Sequence, residues 1–283
     1  MNVTIRLLGP HDVDFAVKQT AREGWDTPAS VFHFCLALDR EGNFIAECEG
    51  RPAGLVTTTR HRETGWVGNL IVEPDCRRQG VGEQLMRRAM DHLAQQGVRT
   101  LRLEAVPLGV SLYQRLGFRD EFESLRFRLE GWREPPTAEN APAERLLGPS
   151  LRTVAEFDAE HFGDDRGRLL SRLLQDGHGA WWVPDGGSVA SYVITSASQH
   201  GVRLGPGVAT TPAAAEALID TVVSEFADAP ILAGVPAVNR EAIELLTARG
   251  FASKPSCRRM VYGEGACGGT PEHVLAIANG AMG

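Results

Sequence analysis

Apolar and polar positions along this chain change period in an order that alternates strands and helices. Residues 3–8 alternate as a strand, and after Gly9-Pro10 a helical spacing runs to about Trp25. A second helical stretch runs from Thr27-Pro28 to about Leu38, with Pro28 at a favoured first helical position. Residues 43–48, 53–60 and 64–72 read as three strands, joined by hairpin turns at 49–52 and 61–63. In 82–96 the apolar positions Leu85, Met86, Ala89, Met90 and Leu93 fall on one helix face, and Gly97 stops the helix. A strand over 98–105, a short helix over 110–116 ended by Gly117, and a strand from Phe118 to about Leu129 complete this half.

The stretch from Asn69 to Met86 carries the most chemistry. An apolar strand ending Leu70-Ile71-Val72 passes through a polar turn into a helix opened by Gly80 and Gly82. Amides of a first helical turn lack partners within the helix, and together with the helix dipole they form an anion site. Glycine keeps side chains away from those amides, while Arg77 and Arg78 supply cationic donors at the rim. A Walker loop is excluded because Gly82 is followed by Glu83-Gln84 and not by Lys-Ser/Thr. A dinucleotide fingerprint is excluded because Leu85 stands where its third glycine belongs.

The remaining pattern, Arg-x-x-Gly-x-Gly behind a Leu-Ile-Val strand, resembles the acyl-CoA pyrophosphate loop of the GCN5-related N-acetyltransferases (GNAT). Ser111–Phe118, reading Ser-Leu-Tyr-Gln-Arg-Leu-Gly-Phe, is similar to that family's second marker, and the element order agrees. The resemblance covers residues 1 to about 130. It implies an α/β fold with a mixed sheet and acetyl transfer from acetyl-CoA, the co-substrate, to an amine. Leu70 and Val72 would pair through their backbones with pantetheine, and Arg77, Arg78, Gln79, Gly80, Val81 and Gly82 would hold the pyrophosphate. Tyr113 would be the general acid for the departing thiolate, since a phenol of ordinary pKa is protonated at neutral pH. Glu104, at the end of the strand beside the cradle, is the candidate base, with Glu73 a rival better suited to structuring its loop. Trp25 is a candidate for lining the acceptor site. No metal is implied.

A polar, proline-rich run at 134–142 reads as a linker. Beyond it, Leu245–Phe251 echoes Leu112–Phe118, and at the same ungapped offset Gly80 falls on Ala213, Gly82 on Ala215, Arg77 on Thr210 and Tyr113 on Leu246. The second half thus resembles a GNAT copy that keeps core positions and loses the chemistry. The expected organisation is two GNAT-type acyl-CoA N-acyltransferase domains in tandem: a catalytic domain at 1–132, a linker at 133–144, and a degenerate domain at 145–283. Residues 270–283 read as a short helix docking on the second domain.

Composition narrows the class. A chain of 283 residues with 43% hydrophobic and 23% charged residues suits two globular domains. The net charge of −7 argues against nucleic acid, and no apolar run reaches membrane-span length. The five cysteines lack metal-ligand spacing, and His161, His178 and His200 are scattered, so a reducing cytoplasm without structural zinc is expected. The expected partners are a small-molecule or peptide amine acceptor, in a monomer or homodimer. The alternative is a non-catalytic acyl-CoA-binding regulator; a hydrolase would differ by releasing CoA without an acceptor.

Overall fold

A computed structural model of the chain describes residues 2–25, 27–131, 143–176, 179–263 and 268–283. The linker expected at 134–142 and His178 lie outside the described residues. The chain forms two compact units, each discontinuous in sequence. Unit 1 comprises Met1–Arg119, Met260–Gly265 and Gly280–Gly283; unit 2 comprises Asp120–Arg259 and Ala266–Asn279.

Unit 1 opens with β1 (Val3–Leu7), α1 (Val13–Arg22) and α2 (Ala29–Leu38). The first helix ends three residues before Trp25, at Glu23-Gly24, where Gly24 takes φ +70° and terminates it. Then come β2 (Phe44–Cys48), β3 (Arg51–Arg60) and β4 (Thr64–Val72), each antiparallel to its predecessor, with β1 on β2. Glu49 and Gly50 both have positive φ (52° and 77°), the twist a two-residue hairpin requires. After α3 (Val81–Gln95), β5 (Thr100–Ala105) returns parallel to β4, as a helical crossover dictates. The following helix, α4 (Pro107–Arg115), starts earlier than the spacing predicts because Pro107 takes its first position.

The sheet of unit 1 is covered on both faces. On one, Leu85, Met86, Ala89 and Leu93 of α3 pack on Phe44, Ala46, Val56, Val67, Leu101, Leu103 and Ala105. Leu85, Met86 and Leu93 are fully buried, each stabilising the fold by about 1.5–3 kcal/mol. On the other face, Val13 and Ala16 of α1 and Phe32 of α2 pack on Ile45, Leu55 and Ile71.

Unit 2 contains β6 (Arg119–Leu129, from Asp120), β7 (Glu144–Arg145), α5 (Leu151–Phe162), α6 (Gly167–Gln175), β8 (Ala180–Asp185), β9 (Ser188–Ser198) and β10 (Gly201–Ala209). It continues with α7 (Pro212–Glu225), β11 (Ile231–Pro236), α8 (Arg240–Ala248) and most of β12 (Ala252–Tyr262), whose last residues belong to unit 1. Its strands follow the order β6-β11-β10-β9-β8-β7, with β10 and β11 parallel. Trp181 is buried in β8 against Phe226, as expected of a second-unit core strand. A charged cluster is also buried here. The Arg166 guanidinium donates to both Asp158 oxygens at 2.8 and 2.9 Å, and the Tyr192 hydroxyl donates to Asp158 as well.

The expected helix over 270–283 does not form. Residues 271–273 make a single 3-10 turn, and β13 (Val274–Ala276) pairs with β10. The run Val274–Ala278 is buried throughout, and a continuous apolar run of that length between turn residues suits an enclosed strand.

Candidate active site

Two features of β4 create the site. First, β4 and β5 pair only from Thr64↔Thr100 to Trp66↔Arg102, and beyond that point they part. Second, a bulge interrupts β4 against β3. Thr57 pairs with Gly68 and Leu55 with Ile71, so Asn69 and Leu70 oppose Val56 alone, with Asn69 at φ +51°. The extra residue reverses the alternation of side chains. Before the bulge, Gly65 and Val67 face α3 while Trp66 and Gly68 face the opposite side; after it, Leu70 and Val72 face α3 and Ile71 the other side. The backbone of 67–72 on the β5 side therefore lines a widening cleft, with Leu70 and Val72 partly buried beside it.

At the mouth of this cleft the chain turns through Pro74–Cys76 into α3. Arg78 (φ +60°) and Gly80 (φ +82°) take left-handed conformations that aim the turn back on the helix start. Gly80 is the N-cap of α3, and no side chain caps the helix. Its first-turn amides are left for an outside acceptor. A Cβ on Gly82 would meet Leu112 and Val72 at an ordinary 3.6 Å, so the protein's own packing does not demand glycine there. A phosphate seated on the amide would. The residues present thus fit a diphosphate.

The two arginines differ. Arg77 Nε donates to the Val72 carbonyl at 2.8 Å, and its Nη2 donates to Glu23. Its side chain therefore ties the loop to the end of β4. Arg78 is exposed and makes no side-chain bond among the described residues. Gln79 Nε2 donates to the Asp75 carbonyl at 2.8 Å, and Val81 is buried. Glu73 accepts from Gln19 Nε2 at 2.7 Å and from Arg22 Nη1 at 2.9 Å, binding the loop to α1. Trp25 packs at the edge of the α1–α2 core.

Tyr113 stands on α4 with its ring edge-on to Phe118, centroids 6.0 Å apart. Gly109 is the reason the ring fits: a Cβ there would lie 2.8 Å from it. The residue is buried, yet its hydroxyl makes no hydrogen bond among the described residues. Burial pushes the phenol well above its ordinary pKa, so it is neutral across the physiological range. Glu104 lies at the end of β5. Leu101, Leu103 and Ala105 face α3, so alternation sets Glu104 on the opposite face with Trp66 and Gly68. The sequence pattern gave no role to Gly68, Asn69 or Gly109. The positive φ of an asparagine and the collisions a Cβ would make become visible only in three dimensions.

In unit 2 the start of α7 is closed. Thr211 caps α7 with its own side chain, accepting from the Ala214 amide at 3.3 Å, and Pro212 at the first position has no amide hydrogen. Among the described residues no cluster of three or more His, Cys, Asp or Glu is placed to hold a metal, and no helix is long and apolar enough to cross a membrane.

A mixed sheet that splays after a parallel pair, with an uncapped helix start at its mouth, defines an α/β fold with an anion-accepting helix start beside the sheet. The comparisons with known proteins specify the family. The Acetyltransferase (GNAT) family model matches residues 14–118, and the Acetyltransferase (GNAT) domain model matches 154–275. The chain belongs to the GNAT family and carries two GNAT domains in tandem. A putative acetyltransferase from Pyrococcus horikoshii shares the fold, with a TM-score of 0.86 at 24% identity, covering 99% of this chain and 96% of its own. A tandem GNAT protein from the clavulanic acid biosynthesis pathway aligns at a TM-score of 0.63 and 16% identity, covering 94% and 99%.

Among curated relatives, an uncharacterised N-acetyltransferase of Methanocaldococcus jannaschii is 27% identical over 32% of this chain. The ribosomal protein bS18-alanine N-acetyltransferase of Escherichia coli is 33% identical over 29% of it. The matched regions span 44% and 57% of those two relatives' lengths.

Proposed function

We propose that this protein transfers an acetyl group from acetyl-CoA to a primary amine, with the chemistry in the first GNAT domain. The observation that carries this is the uncapped start of α3 at the mouth of the β4–β5 cleft, with the unpartnered Tyr113 hydroxyl on the neighbouring helix. The amides from Gly80 to Gly82 and the Arg78 side chain hold the pyrophosphate, while Arg77 and Gln79 hold the loop in shape. The Leu70 and Val72 backbones receive the pantetheine. Glu104 accepts the ammonium proton directly or through water, and the freed amine attacks the thioester carbonyl. The C–N bond forms and the C–S bond breaks; Tyr113 donates a hydrogen bond and then its proton to the departing sulfur, and the second proton shed by the new amide nitrogen returns to the Tyr113 oxygen. Trp25 borders the acceptor side. The capped start of α7 favours one acetyl-CoA per chain.

The Escherichia coli relative acts on an alanine of ribosomal protein bS18, so peptides with free N-termini are tested beside unbranched amines. The test incubates the protein with acetyl-CoA and a panel of small amines and peptides, reading acetylated products by mass spectrometry and CoA release by thiol assay. Acetylated product with equimolar CoA is expected. CoA release without an amine would mean a hydrolase, and binding without release across the panel would mean a regulator.

A further inference from the structure

Four residues distant in sequence lie against β4. Gly280–Gly283 belong to unit 1, although the preceding 266–279 belong to unit 2. Three features of β4 and its turn hold them. Trp66 Nε1 donates to the Gly280 carbonyl at 3.1 Å, and the Met282 carbonyl lies 3.1 Å from His61 Nε2, which donates to it. A Cβ on Gly68 would collide with the Ala281 backbone, so glycine at 68 is what lets the segment lie against the strand. Ala281 and Met282 are only 6% and 2% exposed.

The segment's location gives it meaning. It covers the face of β4 that carries Trp66 and Gly68, opposite α3 and on the same side as Glu104. Gly68 is two residues past the last β4–β5 pair, where the strands part. A thioester reaching this point has its diphosphate at the α3 start, so an amine using Glu104 must approach on the face the segment covers. Polar groups occur there too. Asn69 Nδ2 donates to Thr57 Oγ1 at 3.0 Å, and Thr59, paired with Trp66, has a buried hydroxyl with no hydrogen-bond partner among the described residues.

Resting on the acetyltransferase reading above, we propose that residues 280–283 are the wall of the acceptor pocket and set how much bulk an acceptor can carry beside its nitrogen. The wild-type site prefers an unbranched primary amine, and displacing the wall admits α-branched ones. Two variants test this: Gly68→Ala, which pushes the segment off the strand, and Met282→Ala, which trims the segment and leaves β4 intact. Each is compared with wild type for acceptor KM and kcat on butylamine and sec-butylamine, for acetyl-CoA affinity by calorimetry, and for folding by circular dichroism. The expected result is an acceptor KM changed at least tenfold in one folded variant, a butylamine preference reduced at least tenfold, and acetyl-CoA affinity within twofold.

A lower melting temperature with acceptor KM and preference unchanged would mean the segment is only a structural tie, overturning the proposal. If wild type transfers nothing to any amine, the functional reading falls. The wall is then judged by saturation-transfer NMR of the same two amines on wild type and Met282→Ala, where equal binding of both overturns it.

Discussion

Replacing Tyr113 by phenylalanine separates packing from chemistry because the hydroxyl makes no hydrogen bond among the described residues. The ring keeps its edge contact with Phe118 and its place over Gly109, so stability changes by no more than about 0.5 kcal/mol. The catalytic loss follows from the environment of the phenol. Burial raises its pKa above 10, while a free thiol titrates near about 8.5, so early full proton transfer to the sulfur is uphill. Tyr113 then acts mainly through a hydrogen bond to the developing thiolate, and a bond to a charged group contributes about 1.5–3 kcal/mol. At about 1.4 kcal/mol per tenfold, kcat falls by roughly 10- to 150-fold, with acetyl-CoA KM nearly unchanged. The assay is steady-state CoA release with a saturating amine, beside urea unfolding. The raised pKa also fixes a sign: the folded state resists ionisation, so wild-type stability declines as pH rises above about 10 and the phenylalanine variant is spared that share. A kcat within threefold of wild type would refute Tyr113 as the acid.

Gly82→Glu introduces a side chain whose Cβ the protein accommodates and whose charge suits a first helical turn, so melting is unchanged while CoA affinity by calorimetry falls at least roughly 50-fold; unaltered affinity would remove the anion site. Arg78→Ala lowers CoA affinity several-fold without destabilising, whereas Arg77→Ala costs about 1–2 kcal/mol in urea by stranding the Val72 carbonyl and Glu23; the opposite pattern would exchange their roles. Asp158→Ala leaves the Arg166 guanidinium buried without its carboxylate and costs about 3–5 kcal/mol by the same measurement, and a loss under 1 kcal/mol would contradict it. Burial, then the charge of nearby His273, lowers the His161 pKa below its ordinary 6.5, so the unfolded chain binds that proton more readily. The stability this residue contributes is present above pH 6.5 and lost below it, and His161→Gln should flatten the difference between urea midpoints at pH 5.5 and 7.5.

The parts of the site legible in sequence are those where one local device carries the function. Gly80-x-Gly82 before an amphipathic run marks a helix start kept clear of side chains, and Gly117 marks the end of the helix that presents Tyr113, although that helix begins at Pro107 and not at 110. The strand over 64–72 was legible with its bounds, because its apolar run is bordered by turn residues. Its bulge was not, since one inserted residue changes which face Leu70 and Val72 occupy without disturbing the run. Arg77 and Arg78 are adjacent and chemically identical, yet backbone geometry gives one to Glu23 and leaves the other exposed. Residues 280–283 were beyond reach for a different reason: Gly68 and Ala281 meet only in the folded chain, and a short Gly-Ala-Met-Gly run has no period to read.

The two GNAT copies differ at the helix start and not in the burial of the helix. In α7, Leu218, Ile219, Val222 and Val223 are buried as Leu85, Met86 and Leu93 are in α3, so both helices gain comparable apolar burial on their own sheets. The helix starts solve one physical problem in opposite ways. Unpaired amides must find an acceptor; α7 supplies Thr211 and substitutes Pro212 for an amide, whereas α3 supplies glycines and no cap. The closed start satisfies itself and has nothing to gain from an anion. The open start is completed only by solvent or by a ligand, so bound CoA adds stability where the amides are free. Ligand-induced protection from hydrogen exchange should therefore concentrate at residues 73–85 and leave 210–218 as they were.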